Sequence, residues 1–390
     1  MSEAYIVAAN RTAGGKRDGR LAGVHPVDLA AHVLKDVIVR TGADPESIDD
    51  VIMGCACPGG QQGANIARYA ALVAGLPDTV PGTTVDRQCG SSQQALHFAA
   101  ATVMSGIQDI VIAAGIESMT RVPMGLPWTL AAKHGFGTWR SPGFDARYGD
   151  GVITQFAGAE MMARKYGFSR RELDEYALLS HQRAAAATQT GAFEAEIVPI
   201  TVTTPDGEEV VHKHDEGIRP DASLEKMGTM KTLSEGGVIT AANASQICDG
   251  AAALMVVNEA GLKRLNVKPM ARIRHMSVLG GDPVIMLEAP LPATQRALDK
   301  SGISIGEIDL YEVNEAFAPV PLAWAKVVGA DPERMNVNGG GIALGHPLGA
   351  SGAKLMTTLI HALRARGMRY GLQTMCEAGG MANVTIVERL

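Results

Sequence analysis

The feature that most constrains the fold of this chain is an internal repeat at an offset of 260 residues. Gly42 and Gly302 are each followed, six residues later, by an Ile-Asp pair and a short apolar run. The predicted strands 110–114 and 370–374 stand at the same offset. Self-similarity at one constant offset indicates a duplicated structural unit. We therefore predict two copies of one α/β unit, related by a pseudo-twofold axis.

Apolar strand patterns alternate with helical patterns in the first copy, which is typical of a mixed and mostly buried sheet. The predicted strands are 5–9, 48–54, 110–115 and, after a long interruption, 249–258, and the predicted helices are 28–40, 65–74 and a run that begins just after residue 89. These patterns indicate an α/β fold in which the second copy repeats the first.

The segment between the copies has no such alternation and indicates a large insertion or lid. Helices are predicted at about 152–166 and 169–187. A polar strand pair within 197–211 is divided by the turn Pro205-Asp206-Gly207. We expect three domains: residues 1–119 with 246–269 as the first half, 120–245 as the insertion, and 270–390 as the second half.

Charge and cysteine content argue against several classes of protein. The net charge is −6 and no basic stripe is present, so nucleic-acid binding is not expected. No run of 18 apolar residues or leader pattern is found, so no membrane association is expected. The five cysteines are odd in number and scattered, which favours a reducing compartment and a cytoplasmic protein. No cluster has metal-ligand spacing, so we expect no metal.

Cys89 is the first candidate for chemistry, because it lies between a strand pattern and the start of a helix. The first turn of a helix has unpaired N–H groups and the positive end of the helix dipole, and both favour a thiolate. The thiolate is the nucleophilic form of cysteine. Gly90 lets other backbone or a ligand come close. An inert buried cysteine is the alternative.

The second copy carries three polar, glycine-rich stretches at its predicted strand ends. They contain Asn314, His346 and Cys376. A histidine can take the proton of a thiol, a second thiol can carry a proton, and an amide can hold an oxyanion. Because equivalent strand ends of the two copies come together about the pseudo-twofold axis, we expect these side chains to lie near Cys89.

Structural roles are the alternative for each of these residues. Asn314 and Glu315 fit a helix N-cap, His346 a loop brace, and Cys376 a core position. The other histidines are expected to be structural within helices or, for two of them, solvent-facing on a polar strand; the first group is His32, His97 and His361, and the second is His212 and His214.

Four stretches, taken together and in order, resemble the thiolase family over nearly the whole chain. They are Cys89-Gly90-Ser91-Ser92, Asn314-Glu315-Ala316-Phe317-Ala318, Gly345-His346-Pro347 with Gly349-Ala350-Ser351-Gly352, and Cys376 followed by Gly379-Gly380. The resemblance implies a duplicated five-layer αβαβα fold with an inserted loop domain, in agreement with the repeat.

The resemblance also implies catalytic roles. Cys89 would accept the acyl group, and His346 would activate it and help to polarise the thioester carbonyl. Cys376 would move the proton at the α-carbon. Asn314 would hold a water that completes one oxyanion hole with His346, and the backbone N–H groups of Cys89 and Ala378 would form a second hole.

Coenzyme A and acyl-CoA thioesters are the binding partners that the resemblance implies, with no further cofactor. Ser245 would contact the pantetheine arm from the loop domain, which would be the lid and CoA-binding domain. Phe317, Gln155 and Met286 are the other expected substrate contacts. The family forms dimers, often paired into tetramers, so we expect a homodimer or a homotetramer.

The chain departs from the usual family pattern in three places. Ser92 replaces a glycine and could crowd the nucleophile turn. Glu377-Ala378 replaces an apolar residue and a glycine; Ala378 can still donate its N–H if its φ is negative, and Glu377 puts an acid beside Cys376. Gln155-Phe156 replaces a His-Met pair and is similar to thiolases of bulky, including steroid-derived, substrates.

We therefore expect degradative thiolysis of a 3-oxoacyl-CoA, giving acetyl-CoA or propionyl-CoA and a shortened acyl-CoA. Biosynthetic condensation of two acetyl-CoA molecules is the alternative. A decarboxylating condensing enzyme of the same superfamily would have His or Asn in place of Cys376. A non-catalytic acyl-CoA-binding scaffold is the alternative from another class.

Overall fold

The computed structural model describes residues 2–204 and 206–390. The strands are β1 (Tyr5–Arg11), β2 (Gly15–Lys16), β3 (Asp50–Gly54), β4 (Gly82–Val85), β5 (Ile110–Ser118), β6 (Ile200–Thr203), β7 (Glu209–His212), β8 (Cys248–Val257), β9 (Ala271–Gly280), β10 (Leu310–Val313), β11 (Tyr370–Glu377) and β12 (Met381–Arg389). The α-helices are α1 (Pro26–Thr41), α2 (Ile66–Val73), α3 (Ser91–Ser105), α4 (Leu126–Lys133), α5 (Pro142–Tyr148), α6 (Gln155–Tyr166), α7 (Arg170–Gln189), α8 (Leu224–Gly228), α9 (Glu259–Leu265), α10 (Pro290–Ser301), α11 (Pro319–Val328), α12 (Gly341–Leu344) and α13 (Ser351–Arg366).

One mixed sheet connects the two halves of the molecule. Its strand order is β10-β11-β12-β9-β1-β8-β5-β3-β4, and β2 pairs with β8. The halves meet where Tyr5 lies opposite Arg272 and Ile6 lies opposite Ala271. On both sides of this junction, two antiparallel pairings are followed outward by a parallel one. The predicted duplication is therefore visible in the strand pairing itself.

The strands of the two halves form the two β-layers of the predicted five-layer αβαβα fold, and helices form the other three layers. The helices α3 and α13 lie in the middle layer, where Leu96 and Leu359 share an apolar cluster with strand residues of both halves. Helices α1 and α2 cover the first half from outside, and α10 and α11 cover the second. Because the middle helices have apolar surface on both sides, they are buried almost completely.

The offset of 260 residues corresponds to equivalent elements. Strands β3 and β10 begin at Asp50 and Leu310, and helices α1 and α10 end one residue before Gly42 and Gly302. These glycines adopt φ of 62° and 70°, the left-handed conformation that ends a helix at low cost when no Cβ is present. The same chain reversal is therefore specified twice.

The segment between the copies contains α4 to α8 and the antiparallel pair β6–β7. Helices α4 and α5 were not predicted from the proline-rich and glycine-rich stretch 121–150. The turn predicted at Pro205-Asp206-Gly207 lies partly outside the described residues, because Pro205 is one of those left out. In the described residues, no helix is both long and apolar enough to cross a membrane.

The prediction that His212 faces solvent is wrong. His212 is completely buried, and its Nε2 lies 3.0 Å from the carbonyl oxygen of Ala13. It is the last residue of β7, at the point where the chain turns back towards the sheet. The polar strand pattern therefore predicted exposure at a position that tertiary packing buries. His214 is exposed, as predicted.

Candidate active site

A tight turn between β4 and α3 presents Cys89. Gln88, just before it, adopts φ of 49°, and its N–H donates to the Asp86 carboxylate at 2.8 Å. The Ser91 hydroxyl accepts from the Arg87 N–H at 2.9 Å and donates to the Gln88 carbonyl at 2.6 Å. These bonds hold a left-handed conformation that a residue other than glycine rarely adopts. The strained turn places the Cys89 sulfur at the N-terminus of α3.

The Cys89 thiol is protonated at neutral pH. Burial raises its pKa to about 12, and the charge of Glu377 contributes in the same direction. Hydrogen bonding by the backbone N–H groups of Cys89 and Ala378 opposes this shift. The two N–H groups expected to form an oxyanion hole therefore already face the sulfur.

His346 follows the short helix α12 and is buried. Its Nδ1 contacts the hydroxyl of Ser351, which donates its own proton to the Pro347 carbonyl at 2.9 Å. The hydroxyl can therefore only accept from the imidazole, which places the imidazole proton on Nδ1. Nε2 carries the lone pair and accepts from the Asn314 amide at 3.3 Å.

Burial lowers the pKa of His346 to about 3, and the nearby charge of Lys354 acts in the same direction. Lys354 donates to the carbonyls of Leu344 and Gly345 at 2.6 and 3.2 Å, which fixes the loop that carries the histidine. The imidazole is therefore neutral over the whole physiological range and can accept a proton.

Cys376 lies near the end of β11 and is buried. Burial raises the pKa of its thiol well above the usual value, and the charges of Cys89 and Glu377 add to the shift. The two thiols are thus close enough for the ionisation of one to oppose that of the other. The structure brings a sulfur from each copy to one place, as the sequence predicts.

One cavity of about 490 Å³ connects the predicted residues. Cys89, His346 and Cys376 line it together. The other predicted residues on its wall are Ala378, Ser245, Phe317, Gln155 and Met286. Asn314 is outside the lining, and its amide contacts Nε2 of the His346 imidazole.

Asn314 and Glu315 do not form a helix N-cap, which was the structural alternative. The next helix, α11, begins at Pro319 with Ala318 as its cap, and no side chain caps it. Glu315 instead points into the protein, where it is almost completely buried. The strand-to-helix turn is long enough that neither side chain reaches the helix N-terminus.

The Glu315 carboxylate accepts hydrogen bonds from several segments around the site. It accepts from the hydroxyls of Tyr176 and Ser180 at 2.9 and 2.7 Å. It also accepts from the Asn336 amide and the Ile342 N–H, both at 3.1 Å. These bonds tie α7 to the glycine-rich loop before His346. Glu315 thus orders the site without lining it.

The inserted segment reaches the cavity beside Phe317. The Ser245 N–H donates to the Ala316 carbonyl at 2.9 Å, and Ala244 forms a β-bridge with Phe317. The rings of Phe156 and Phe317 pack edge to face, with centroids 5.6 Å apart. These two aromatic rings therefore give apolar surface to the same cavity that the two sulfurs line.

Three cations at the edge of the cavity were missed by sequence reasoning. Lys16, Arg17 and Arg219 are exposed and belong to the cavity lining. Lys16 and Arg17 are neighbours at the end of β2, whereas Arg219 is about two hundred residues away in the sequence, so no local charge pattern points to the group. Their grouping gives the cavity mouth a positive potential that suits a polyanionic ligand.

The sequence departures fit the site. Ser92 does not crowd the nucleophile turn, because its hydroxyl accepts from the Ala353 N–H at 2.9 Å and links α3 to α13. The positive-φ backbone after β11 begins at Gly379, so Ala378 keeps ordinary geometry and can donate its N–H. Across residues 2–204 and 206–390, no group of three His, Cys, Asp or Glu side chains is arranged to hold a metal ion.

Two family models cover the chain. The thiolase N-terminal domain model matches residues 4–260, and the thiolase C-terminal domain model matches residues 267–389. The chain belongs to the thiolase family. The resemblance carried by the four motifs and the predicted fold class are thereby confirmed, and the protein is an acyltransferase of this family.

Relatives of this thiolase align over their full or nearly full length. The steroid 3-ketoacyl-CoA thiolase FadA6 of Mycobacterium tuberculosis is 53% identical over 100% of this chain and 95% of its own. The 3-ketoacyl-CoA thiolase of Bacillus subtilis is 40% identical over 100% of both chains. The crystal structure of the Bacillus anthracis acetyl-CoA acetyltransferase superposes with a TM-score of 0.91 at 39% identity, covering 100% of this chain and 99% of that one.

Proposed function

We propose that this thiolase cleaves 3-oxoacyl-CoA with coenzyme A, giving acetyl-CoA or propionyl-CoA and a shortened acyl-CoA. The observation that carries the proposal is the convergence of Cys89, His346 and Cys376 on one cavity. A nucleophile, a neutral base and a second proton carrier are what the two covalent steps of thiolysis require.

In the first step, the sulfur of Cys89 attacks the 3-oxo carbon while His346 Nε2 takes the thiol proton. The bond between C2 and C3 breaks, the acyl group stays on Cys89, and the departing enolate takes a proton from Cys376. We propose that the backbone N–H groups of Cys89 and Ala378 form one oxyanion hole, and that His346, once Nε2 carries the thiol proton, forms the other with a water held by Asn314. Since burial lowers the pKa of His346 to about 3, proton transfer is coupled to the attack.

In the second step, the thiol of coenzyme A gives its proton to the Cys376 thiolate and attacks the thioester on Cys89. The acyl group passes to coenzyme A, and Cys89 leaves as a thiolate that recovers its proton from His346. Both thiols and the imidazole are then restored. The exposed cations Lys16, Arg17 and Arg219 are suited to the phosphates of coenzyme A, and Ser245 to its pantetheine arm.

The degradative direction and a bulky acyl group are supported by two observations. Relatives named 3-ketoacyl-CoA thiolase, one of them a steroid 3-ketoacyl-CoA thiolase, align over the whole chain. Phe156 and Phe317 supply apolar ring surface beside the sulfurs. Biosynthetic acetoacetyl-CoA synthesis is the second candidate, because other full-length relatives are named acetyl-CoA acetyltransferase.

Thiolysis rates on a panel of 3-oxoacyl-CoAs, from acetoacetyl-CoA to a ring-bearing thioester, test the proposal. We expect the bulky substrate to have the higher kcat/KM, whereas a preference for acetoacetyl-CoA would favour the biosynthetic candidate. Cys89→Ala should abolish the covalent acyl-enzyme seen by intact mass spectrometry. The control Cys57→Ala removes a buried thiol away from the cavity lining and should leave it intact. Normal turnover by Cys89→Ala would refute the proposal.

The scaffold alternative is tested by stoichiometric iodoacetamide. Alkylation of Cys89 that is fast, pH-dependent and prevented by acyl-CoA supports an enzyme. Alkylation as slow as that of Cys55 supports a scaffold that binds acyl-CoA without turning it over. Cys55 is a suitable reference, since burial raises the pKa of its thiol well above the usual value.

Further proposals concern assembly and context. We propose a homodimer or homotetramer that works in the cytoplasm without a cofactor beyond its coenzyme A substrate. All five cysteines are free thiols, which suits a reducing compartment. We also propose that 120–245 is the lid and CoA-binding domain between halves formed by 1–119 with 246–269 and by 270–390. Its contact with the cavity beside Phe317 supports this division.

A further inference from the structure

A buried carboxyl group lies beside the two thiols without an assigned task. Glu377 is the last residue of β11, and its exposed fraction is 0%. Both carboxyl oxygens lack a hydrogen-bond partner among the residues that the structure describes. Most buried polar groups in proteins are hydrogen-bonded, and an unpaired buried carboxylate is costly. A group kept in this state calls for an explanation.

The Glu377 side chain packs directly against the nucleophile turn. Its carboxyl group occupies the space that a Cβ at Gly90 would need, so it touches the residue that follows Cys89. Gly90 is also the N-cap residue of α3. The carboxyl group is thus placed where its charge acts on the sulfur without blocking the cavity, whose lining does not include it.

The ionisable groups around Glu377 are few and identifiable. Burial raises the pKa of Glu377 to about 8, although the charge of Arg87 in the nucleophile turn and the backbone of Asn383 act in the opposite direction. The charge of Glu377 in turn raises the pKa of the thiols of Cys89 and Cys376.

Glu117 is the other carboxyl group close enough to influence Cys89. Its oxygens are occupied by the N–H groups of Ala56 and Gly349 at 2.8 Å and by the Gln62 amide at 2.6 Å. Its negative charge is therefore spread over donors, whereas among the described residues neither carboxyl oxygen of Glu377 has a partner at normal hydrogen-bond distance, and only Arg87 and the Asn383 backbone favour its charged form. The electrostatic control of the nucleophile thus falls to Glu377.

We propose that Glu377 is a positioning residue that sets the nucleophilicity of Cys89 through its protonation state. With the carboxyl group neutral, the thiolate forms beside an uncharged neighbour and acylation proceeds. With the carboxylate ionised, two negative charges would share one buried site, so the thiolate is suppressed. This inference rests on the proposed role of Cys89 as the nucleophile. It implies an upper pH limit for acylation that Cys89 and His346 alone do not impose.

The test is the rate of Cys89 alkylation by iodoacetamide as a function of pH, with the site of modification read by mass spectrometry. In the wild-type enzyme, the rise of the rate with pH should flatten at about pH 8, where Glu377 ionises. In Glu377→Gln the flattening should disappear. The variant should match the wild type at about pH 6.5 and exceed it on the order of tenfold at about pH 9.5, since one unit of thiol pKa is a factor of ten. Profiles that superimpose, or that differ equally at every pH, would overturn the inference.

Two variants separate charge from structure. Glu377→Asp keeps the charge and should keep the flattening. Glu312→Gln makes the same change at another buried carboxyl group, which carries one unpartnered oxygen among the described residues and lies outside the cavity lining, and should leave the profile unchanged. Loss of the flattening in either variant would contradict the inference.

Another variant keeps the inference testable if Glu377→Gln does not fold. Arg87→Gln removes the cation that stabilises the Glu377 carboxylate, so the flattening should move to higher pH; an unmoved inflection would overturn the inference. The proposed function fails separately, since it requires Cys89 to react faster than Cys55 in the wild-type enzyme at any pH.

Discussion

The hydrogen bond between the imidazole of His346 and the hydroxyl of Ser351 fixes which imidazole nitrogen carries the proton. Ser351 donates to the Pro347 carbonyl at 2.9 Å, so its oxygen accepts from Nδ1 of the imidazole. Ser351 is also the first residue of α13, the central helix of the second copy. The middle-layer helix α13 therefore also sets the tautomer in which Nε2 is unprotonated and can act as a base.

Ser351→Ala removes the acceptor for the Nδ1 proton. We expect the rate of Cys89 alkylation near neutral pH to fall on the order of tenfold, because an unpaired buried donor costs about 1–3 kcal/mol and the other tautomer becomes accessible. The measurement is the alkylation rate with the modified residue identified by mass spectrometry. Thr294→Ala deletes another buried hydroxyl, one that accepts from Trp324, and serves as the control. An equal loss in both variants would mean that Ser351 is only structural.

Cys376→Ser separates the two thiols by function. Acetyl-CoA should still acylate Cys89, whereas the rate of thiolysis should fall by about 10²-fold or more, because a hydroxyl is a far weaker acid than a thiol and does not readily give up a proton to the enolate. Rapid-quench mass spectrometry measures acylation, and steady-state kinetics measures thiolysis. Cys57→Ser, which alters a buried thiol away from the cavity, should change neither. If Cys376→Ser failed to acylate, the assignment of the two thiols would be reversed.

Glu315→Ala should destabilise the enzyme by about 3 kcal/mol, because it leaves the buried donors of Tyr176, Ser180 and Asn336 without their acceptor. We expect a lower thermal unfolding midpoint and a loss of activity, since the loop before His346 loses its anchor. Glu333→Ala removes a carboxylate that is 83% exposed and paired with Arg183. That control should change stability by less than about 1 kcal/mol. Equal midpoints for the two variants would contradict the role of Glu315.

The stability of the wild-type enzyme should depend on the ionisation of Glu377. Its folded-state pKa is raised from 4.5 to about 8, so the folded state binds a proton that the unfolded state has released between these values. The free energy of unfolding therefore falls as pH rises through this window. Glu377→Gln has no such proton. Its free energy of unfolding relative to the wild type, measured by denaturant titration, should rise from pH 5 to pH 8.5 by an amount on the order of a few kcal/mol. A constant difference would show that Glu377 does not titrate in this range.

Much of the site could be predicted because its parts are local. The nucleophile turn depends on a short stretch around Cys89, and the glycine-rich loop carries His346 within a few residues of the serine that orients it. Each stretch has a composition that a strand-to-helix connection requires. The repeat added the expectation that stretches from both halves meet, and the shared cavity agrees with it.

Other features depend on contacts between distant segments. The burial of His212 follows from the segment that contains Ala13, almost two hundred residues earlier. The cations at the cavity mouth come from two separate parts of the chain. Helices α4 and α5 lie in a stretch whose prolines and glycines hide the helical pattern, although prolines at the first turns of both are compatible with a helix start.

The sequence by itself determined the duplicated α/β architecture and pointed to the candidate reacting groups, since periodicity, helix ends and motif composition are properties of neighbouring residues. Only the tertiary structure decided the protonation states of those groups. Glu377 is one residue away from Cys376 in the chain, yet its charge acts on Cys89 because the fold packs its carboxyl group against Gly90, where neither oxygen has a hydrogen-bond partner at normal distance among the described residues. Burial and through-space charge set pKa values, and neither can be read along a single strand or helix.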